Sequence, residues 1–157
     1  MKKTYIANSC FETKRIGEKL AKKILEEKPG KRAVVLCLKG DLGSGKTTFL
    51  QGFAEGLGIR ERVLSPTFVI LKKFRITKTK NQSAGWRTKT RYFYHIDCYR
   101  IEKPKEILDL GFREIVSNPQ NIIAIEWPEK IKRILPKEKI VLKFKFLAEN
   151  KREIIFC

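Results

Sequence analysis

The chain contains few of the residues that build metal clusters and disulfide frameworks. His95 is the only histidine among 157 residues, and there are only four cysteines. The cysteines are scattered and form no C-x-x-C pair: Cys10, Cys37, Cys98 and Cys157. This spacing argues against a zinc site and against a disulfide framework. We therefore expect four reduced thiols that behave as small apolar side chains.

Long apolar segments are also missing. No run of apolar residues approaches the roughly 18 that a membrane-spanning helix requires. The segment Met1 to Asn8 is basic but lacks the apolar stretch of a secretory signal peptide. The sequence therefore predicts a cytoplasmic protein without membrane contact. Its length suits one domain over residues 1–157, with a basic insert at about 75–91.

Acidic residues are scarce relative to basic ones. The chain has 35 Lys and Arg against 17 Asp and Glu, which gives a net charge of +18. This excess favours an anionic partner, although a lysine-rich solvated surface would produce the same composition. The segment 72–91 contributes eight basic residues and no acid: Lys72, Lys73, Arg75, Lys78, Lys80, Arg87, Lys89 and Arg91.

Apolar patterning predicts alternating strands and helices. The unbroken apolar run from Ala33 to Leu38 is typical of a strand that is covered on both faces. A glycine-rich loop and a helix from about Lys46 follow it. Further elements are expected as a strand and a capped helix in the first 30 residues, strands at 67–74, 92–99 and 122–126, helices at 104–110 and 128–135, and a hairpin at 139–156. The order predicts an α/β, three-layer P-loop NTPase fold with a mixed central sheet flanked by helices and a C-terminal antiparallel hairpin.

The loop between the second strand and its helix carries the strongest signal. Residues 40–47 match the pattern G-x-x-x-x-G-K-[ST], in which glycines let successive N–H groups point at a phosphate chain. The lysine would reach the β- and γ-phosphates, and the threonine hydroxyl would ligate magnesium. An ordinary turn before a helix is the alternative. The loop residues predicted to bind ATP are Asp41, Leu42, Gly43, Ser44, Gly45, Lys46, Thr47 and Thr48; the family resemblance given next adds Trp127.

Several further motifs, taken together, resemble the TsaE (YjeE) family of bacterial P-loop ATPases. They are Gly40 to Thr48, Ser65-Pro66-Thr67-Phe68, His95-Ile96-Asp97-Cys98-Tyr99-Arg100, Leu110-Gly111-Phe112 and Glu126-Trp127-Pro128. The resemblance implies an ATPase that serves the transferase assembly making threonylcarbamoyladenosine in tRNA, with partners similar to TsaD and TsaB. It also implies that the ATPase does not itself transfer the threonylcarbamoyl group.

The resemblance also implies roles for individual residues. Lys46, Thr67, Asp97 and Glu126 form the predicted catalytic set, and Thr47 and Glu126 the predicted magnesium ligands. Glu126 would hold the metal or activate water, whereas Thr67 and Asp97 would sense the γ-phosphate. The alternatives are purely structural: Glu126 is an exposed carboxylate at a strand end, Thr67 begins a strand and Asp97 caps a turn. Trp127 lines the nucleotide pocket or fills the core, and His95 either packs or functions; the sequence leaves both open.

The chain departs from the family pattern in its basic insert, which is longer and more positive than usual. We expect residues 72–91 to contact tRNA phosphates or an acidic partner surface. ATP is favoured over GTP because no Asn-Lys-x-Asp element occurs; Asn150-Lys151-Arg152-Glu153 is the nearest string and is read as a coincidence. Two other functions remain open: a small kinase acting on a metabolite, and a nucleic-acid-binding module with a vestigial loop.

Overall fold

A computed structural model describes residues 2–64, 69–77 and 90–157, and in it one seven-stranded sheet organises the chain. The order across the sheet is β1-β7-β6-β2-β5-β4-β3. Strands β6, β2, β5 and β4 run parallel, whereas β1, β7 and β3 pair antiparallel with their neighbours. The strands are β1 (Lys3–Ala7), β2 (Val34–Lys39), β3 (Leu71–Arg75), β4 (Tyr92–Asp97), β5 (Ile122–Glu126), β6 (Ile140–Ala148) and β7 (Lys151–Phe156).

Helices cover both faces of this sheet. They are α1 (Cys10–Glu26), α2 (Lys46–Gly56), α3 (Pro104–Leu108), α4 (Phe112–Ser117) and a 3-10 helix (Pro128–Ile134). Leu36 and Leu38 of β2 pack with α1 and α2, whereas Val35 and Cys37 pack with α3, α4 and the 3-10 helix. Because successive strand residues point to opposite faces, an uninterrupted apolar run is what a doubly covered strand requires.

Helix α1 begins as its sequence predicts, with one change in detail. The Ser9 hydroxyl accepts a hydrogen bond from the Glu12 backbone N–H at 3.1 Å. The Glu12 carboxylate, however, accepts from the N–H of Asn8 at 2.7 Å rather than from that of Ser9. In a standard capping box the Glu12 side chain would accept from the N–H of Ser9, so here the bond falls one residue earlier.

Glycines allow α1 to lie directly on α2, the helix that follows the phosphate loop. A Cβ added at Gly17 would collide with the carbonyl oxygen of Phe49, and one added at Gly52 with that of Lys14. Side chains larger than hydrogen would therefore force the two backbones apart. This contact fixes the position of α2 against the sheet.

The predicted fold class is confirmed, including the mixed sheet and the C-terminal hairpin that turns at Glu149-Asn150. Several elements differ from expectation, and both β4 and α3 end two residues earlier than predicted. Helix α4 was not predicted, and β3 begins at Leu71 rather than at residue 67. Residues 65–68 and 78–89, which include Thr67 and most of the basic insert, lie outside the described residues. Within the described ranges, no helix is both long and apolar enough to cross a membrane.

We predict that Gly52→Ala destabilises the protein, because the new methyl group would meet the Lys14 carbonyl of α1. Overpacking of this kind lowers the free energy of unfolding by roughly 1–3 kcal/mol. Urea denaturation followed by circular dichroism measures the change. Gly30→Ala is the control, since a Cβ there meets nothing within 4 Å. Equal stability of the two variants would show that the helices do not depend on this close contact.

Candidate functional site

A cleft of about 470 Å³ lies where the carboxyl ends of β2, β4 and β5 meet. Strand β2 leads into the glycine-rich loop, β5 ends at Glu126, and β4 ends at Asp97. In the strand register Glu126 is opposite both Leu38 and Asp97. The crevice at the carboxyl ends of parallel strands is the usual ligand position in open α/β sheets.

The loop backbone has the conformation that a phosphate cradle needs. Gly40, Gly43 and Gly45 have φ values of 148°, 76° and 99°, a region that side chains with a Cβ rarely adopt. A Cβ on Gly40 would also lie 2.6 Å from the Phe144 carbonyl oxygen. Gly45 caps the N-terminus of α2, so the free N–H groups of that helix open toward the loop. Glycine is therefore required at these three positions for a physical reason.

Lys46 places a buried cation beneath the loop. Its residue is only 5% exposed, and its ammonium donates to the carbonyl oxygens of Gly40 at 2.5 Å and Asp41 at 2.8 Å. Burial lowers the pKa of Lys46, while the carboxylates of Glu126 and Asp97 act in the opposite direction. The ammonium group is thus hydrogen-bonded to two uncharged carbonyl oxygens, with the carboxylates of Glu126 and Asp97 nearby. An anion in the cleft would form a stronger, charge-assisted hydrogen bond with it.

The two predicted carboxylates are buried beside this cation. Glu126 is 3% exposed and Asp97 is 6% exposed, and both line the cleft. One Asp97 oxygen, Oδ1, accepts a hydrogen bond from the backbone N–H of Tyr99 at 2.9 Å. Carboxylates held in this way are preorganised rather than free to follow solvent.

Trp127 covers one side of the lysine. The Lys46 ammonium lies 4.9 Å from the centre of its indole ring, and Tyr99 packs on that ring at 5.1 Å. Trp127 has a φ of 57°, a positive value that is uncommon outside glycine. The residue both lines the cleft and belongs to a core cluster, so both of its expected roles are compatible with its position.

The structure brings most of the predicted site residues together. Those lining the cleft are Leu42, Gly43, Gly45, Lys46, Thr47, Thr48, Asp97, Glu126 and Trp127. Asp41 and Ser44 are not among them: Asp41 is exposed and contributes its carbonyl to Lys46, whereas the buried Ser44 hydroxyl lies 3.5 Å from the Lys46 ammonium. Thr67 lies outside the described residues, so its role stays a prediction.

The cleft has a second wall that the sequence did not reveal. It combines the start of α1, the turn between β6 and β7, and Arg152 of β7. Arg152 packs its side chain over Gly45, where a Cβ would lie 3.5 Å from the Arg152 Cγ. Only the sheet order brings these distant segments together, so no local pattern marks them. The lining residues are Ser9, Cys10, Thr13, Glu149, Asn150 and Arg152.

His95 lies directly behind Glu126. Its Nε2 is 2.8 Å from Oε1 of Glu126, and the imidazole is fully buried. The sequence left open whether His95 packs or functions, and its strand position alone could not show this contact. The pair joins a buried ring to a carboxylate of the cleft.

The described side chains around this cleft do not form a metal site by themselves. Among the described residues, no group of three or more His, Cys, Asp or Glu side chains could hold a metal ion. A magnesium ion that uses one hydroxyl, one carboxylate and phosphate oxygens does not need such a cluster. The donor set of Thr47 and Glu126 is compatible with that kind of site.

The chain belongs to the class of P-loop proteins, as its sheet order, glycine-rich loop and buried lysine indicate. Within that class, residues 7–154 match the family described as "Threonylcarbamoyl adenosine biosynthesis protein TsaE". The chain belongs to the TsaE family, a group of P-loop-type proteins in tRNA threonylcarbamoyladenosine biosynthesis.

Individual relatives agree with this assignment. The chain is 41% identical over 129 residues to the protein named tRNA threonylcarbamoyladenosine biosynthesis protein TsaE of Bacillus subtilis, covering 82% of this chain and 70% of that one. It is 32% identical over 149 residues to the protein of the same name from Treponema pallidum, covering 95% and 96%. The crystal structure of Bacillus subtilis YdiB superposes with a TM-score of 0.71 at 31% identity, over 99% of this chain and 84% of that one.

The reactivity of the cysteines provides a test of whether Mg-ATP binds in this cleft. Iodoacetamide should label the exposed Cys10 and Cys157. Cys37 and Cys98 should react slowly, because burial raises their pKa values to about 11 and about 12. Cys10 lines the cleft, so Mg-ATP should slow its labelling several-fold without affecting Cys157. Peptide mass spectrometry measures both rates, and unchanged labelling of Cys10 at saturating Mg-ATP would contradict this location.

Proposed function

We propose that the protein binds and hydrolyses ATP as an accessory factor of the tRNA threonylcarbamoyladenosine machinery, coupling hydrolysis to turnover of the transferase complex. One observation carries this proposal: the glycine loop, the buried Lys46, the Thr47 side chain and the carboxylates of Asp97 and Glu126 line one cleft. The family assignment supplies the pathway.

The residues present fit a magnesium-bound triphosphate. The loop N–H groups would hold the phosphates, Lys46 would move from the loop carbonyls to the β- and γ-phosphates, and Thr47 and Glu126 would hold the metal. Magnesium supplies neutralisation of phosphate charge when it is bound. Thr48, Ser9 and Arg152 also line the cleft, and we place the nucleoside against them.

The two buried carboxylates can position the attacking water. Glu126 and Lys46 line the same cleft, and the Glu126 carboxylate acts to raise the pKa of that lysine, which supports a role for Glu126 beside the γ-phosphate. A carboxylate oxygen there can accept a hydrogen bond from water and orient it for in-line attack. Asp97 lies opposite Glu126 in the sheet register and would act with Thr67 as the sensor of that phosphate.

The string nearest to a guanine-binding element gives no support for GTP as the nucleotide. The string Asn150-Lys151-Arg152-Glu153 borders the cleft through Asn150 and Arg152. Guanine recognition would need the terminal acid of that string, yet the Glu153 carboxylate pairs with Lys145 at 3.0 Å. The acid is paired on the hairpin instead, and ATP is retained in the proposal because no Asn-Lys-x-Asp element occurs.

Two kinds of partner belong to the proposal. Proteins similar to TsaD and TsaB would receive the effect of hydrolysis, and turnover by the isolated chain would be slow until they complete the site. The segment 72–91 would contact tRNA phosphates. Its described part includes Lys73 and Arg75, which are exposed on the edge strand β3.

The carboxylates should act on hydrolysis more than on binding. We predict that Glu126→Gln and Asp97→Asn each lower kcat about 100-fold, the range expected for a lost proton-accepting or water-orienting group. Mg-ATP affinity should change less than about tenfold, because the loop and Lys46 remain. Phosphate release with and without the partner complex measures kcat. Asp109→Asn, an exposed acid outside the cleft, is the control. Full activity in Glu126→Gln would contradict the assignment.

Contact with tRNA should depend on the charge of β3. We predict that Lys73→Ser with Arg75→Ser weakens binding of tRNA to the protein–partner complex and reduces the slope of log affinity against log salt by about 1–2. Fluorescence anisotropy between about 50 and 200 mM salt measures the slope. Lys31→Ser with Arg32→Ser removes equal charge from an exposed loop and serves as the control. Identical slopes for both pairs would indicate non-specific attraction only.

A further inference from the structure

The Glu126 carboxylate is held from behind by a fully buried histidine. His95 Nε2 lies 2.8 Å from Glu126 Oε1, and the two side chains are 0% and 4% exposed. His95 does not line the cleft itself. Its effect on the cleft therefore has to pass through Glu126.

The strand register explains how the two groups meet. His95 of β4 is opposite Ala124 of β5, and Asp97 is opposite Glu126. His95 and Glu126 are thus diagonal neighbours on one face of the sheet, within reach of long side chains. The small Ala124 side chain leaves room for the imidazole, and the Phe93 ring stacks beside it at 6.5 Å with an interplanar angle of 16°.

The contact defines which nitrogen carries the hydrogen. A carboxylate only accepts hydrogen bonds, so Nε2 must be the donor. The other nitrogen, Nδ1, has no hydrogen-bond partner among the residues that the structure describes. A buried N–H without a partner is disfavoured, which also favours hydrogen on Nε2.

We propose that His95 is a positioning residue for ATP hydrolysis: its Nε2–H holds Oε1 of Glu126, so that Oε2 is kept facing the cleft. The inference rests on the proposed function. With Oε1 fixed, Oε2 stays directed at the cleft, where it would hold the magnesium ion or the attacking water. Outer-shell partners of this kind typically change activity 10–100-fold when they are removed.

A packing role alone does not account for the contact. An apolar ring would fill the space beside Phe93 without burying a polar group, and buried polar groups are unfavourable unless they are hydrogen-bonded. In His95 the one nitrogen that is bonded is the one that reaches Glu126. The histidine is therefore placed for that single hydrogen bond.

Two matched variants separate positioning from packing. His95→Phe keeps a ring beside Phe93 but removes the donor, whereas His95→Gln keeps an N–H near the position of Nε2. We expect His95→Phe to lower kcat about 10–100-fold, and His95→Gln to stay within about threefold of the wild-type value. The KM for Mg-ATP should change less than about twofold in both, because His95 does not line the cleft. Circular dichroism and thermal midpoints verify that both variants fold.

A double-mutant cycle tests whether His95 acts through Glu126. In a Glu126→Gln background, His95→Phe should lower kcat by less than about twofold further, since coupled residues are not additive. A full additional loss would contradict the proposal. So would unchanged kcat in His95→Phe, or an equal loss in His95→Phe and His95→Gln.

The imidazole itself gives a readout that does not depend on activity. His95 is the only histidine, so long-range ¹H–¹⁵N spectra of the labelled full-length chain contain one side-chain imidazole pattern. We expect the tautomer with hydrogen on Nε2, and a changed pattern in Glu126→Ala. Hydrogen on Nδ1 would refute the pairing. If the wild-type protein with its partners hydrolysed no ATP, the proposed function itself would fail, and the spectrum would show separately whether the pair exists.

Discussion

A single buried ammonium group sets the requirements for the rest of this structure. Lys46 is 5% exposed, and its ammonium donates hydrogen bonds to the carbonyl oxygens of Gly40 and Asp41. A buried charge is unfavourable unless it is paired, and the lowered pKa of Lys46 reflects that burial. The carboxylates of Glu126 and Asp97 compensate in part. In the proposed function, a phosphate chain in the cleft would be the anionic partner that this ammonium group favours.

The surrounding fold can be understood as the means of holding that lysine in place. Helix α2 carries Lys46 at its first residue, and the glycine contacts of α1 fix α2 against the sheet. The start of α1 also forms part of the second wall of the cleft. One helix thus secures the phosphate loop and borders the space beside it. The parallel strands complete the arrangement, because their carboxyl ends deliver Glu126 and Asp97 to the same edge.

Local signals in the sequence were sufficient for the phosphate loop and for the end of β5, whereas β4 was expected to reach residue 99 and ends at Asp97. Short windows of sequence show the glycine-rich pattern of residues 40–47 and the apolar run that precedes it. They also show the apolar run that ends at Glu126. Helix α4 was missed because its six residues are too few to show helical periodicity. The His95–Glu126 contact depends on strand register, and Arg152 reaches the cleft only through the hairpin order. Both depend on non-local pairing that a single sequence does not display.

Calorimetric titration of Mg-ATP into the protein and into its Lys46→Met variant tests whether the buried lysine holds the nucleotide phosphates. Methionine preserves much of the length and volume of lysine but carries no charge. We predict one magnesium-dependent site in the wild-type protein and a dissociation constant at least about 100-fold higher in the variant, equivalent to about 2.7 kcal/mol. Equal affinities in the two proteins, or no uptake of Mg-ATP by the wild-type chain, would contradict it.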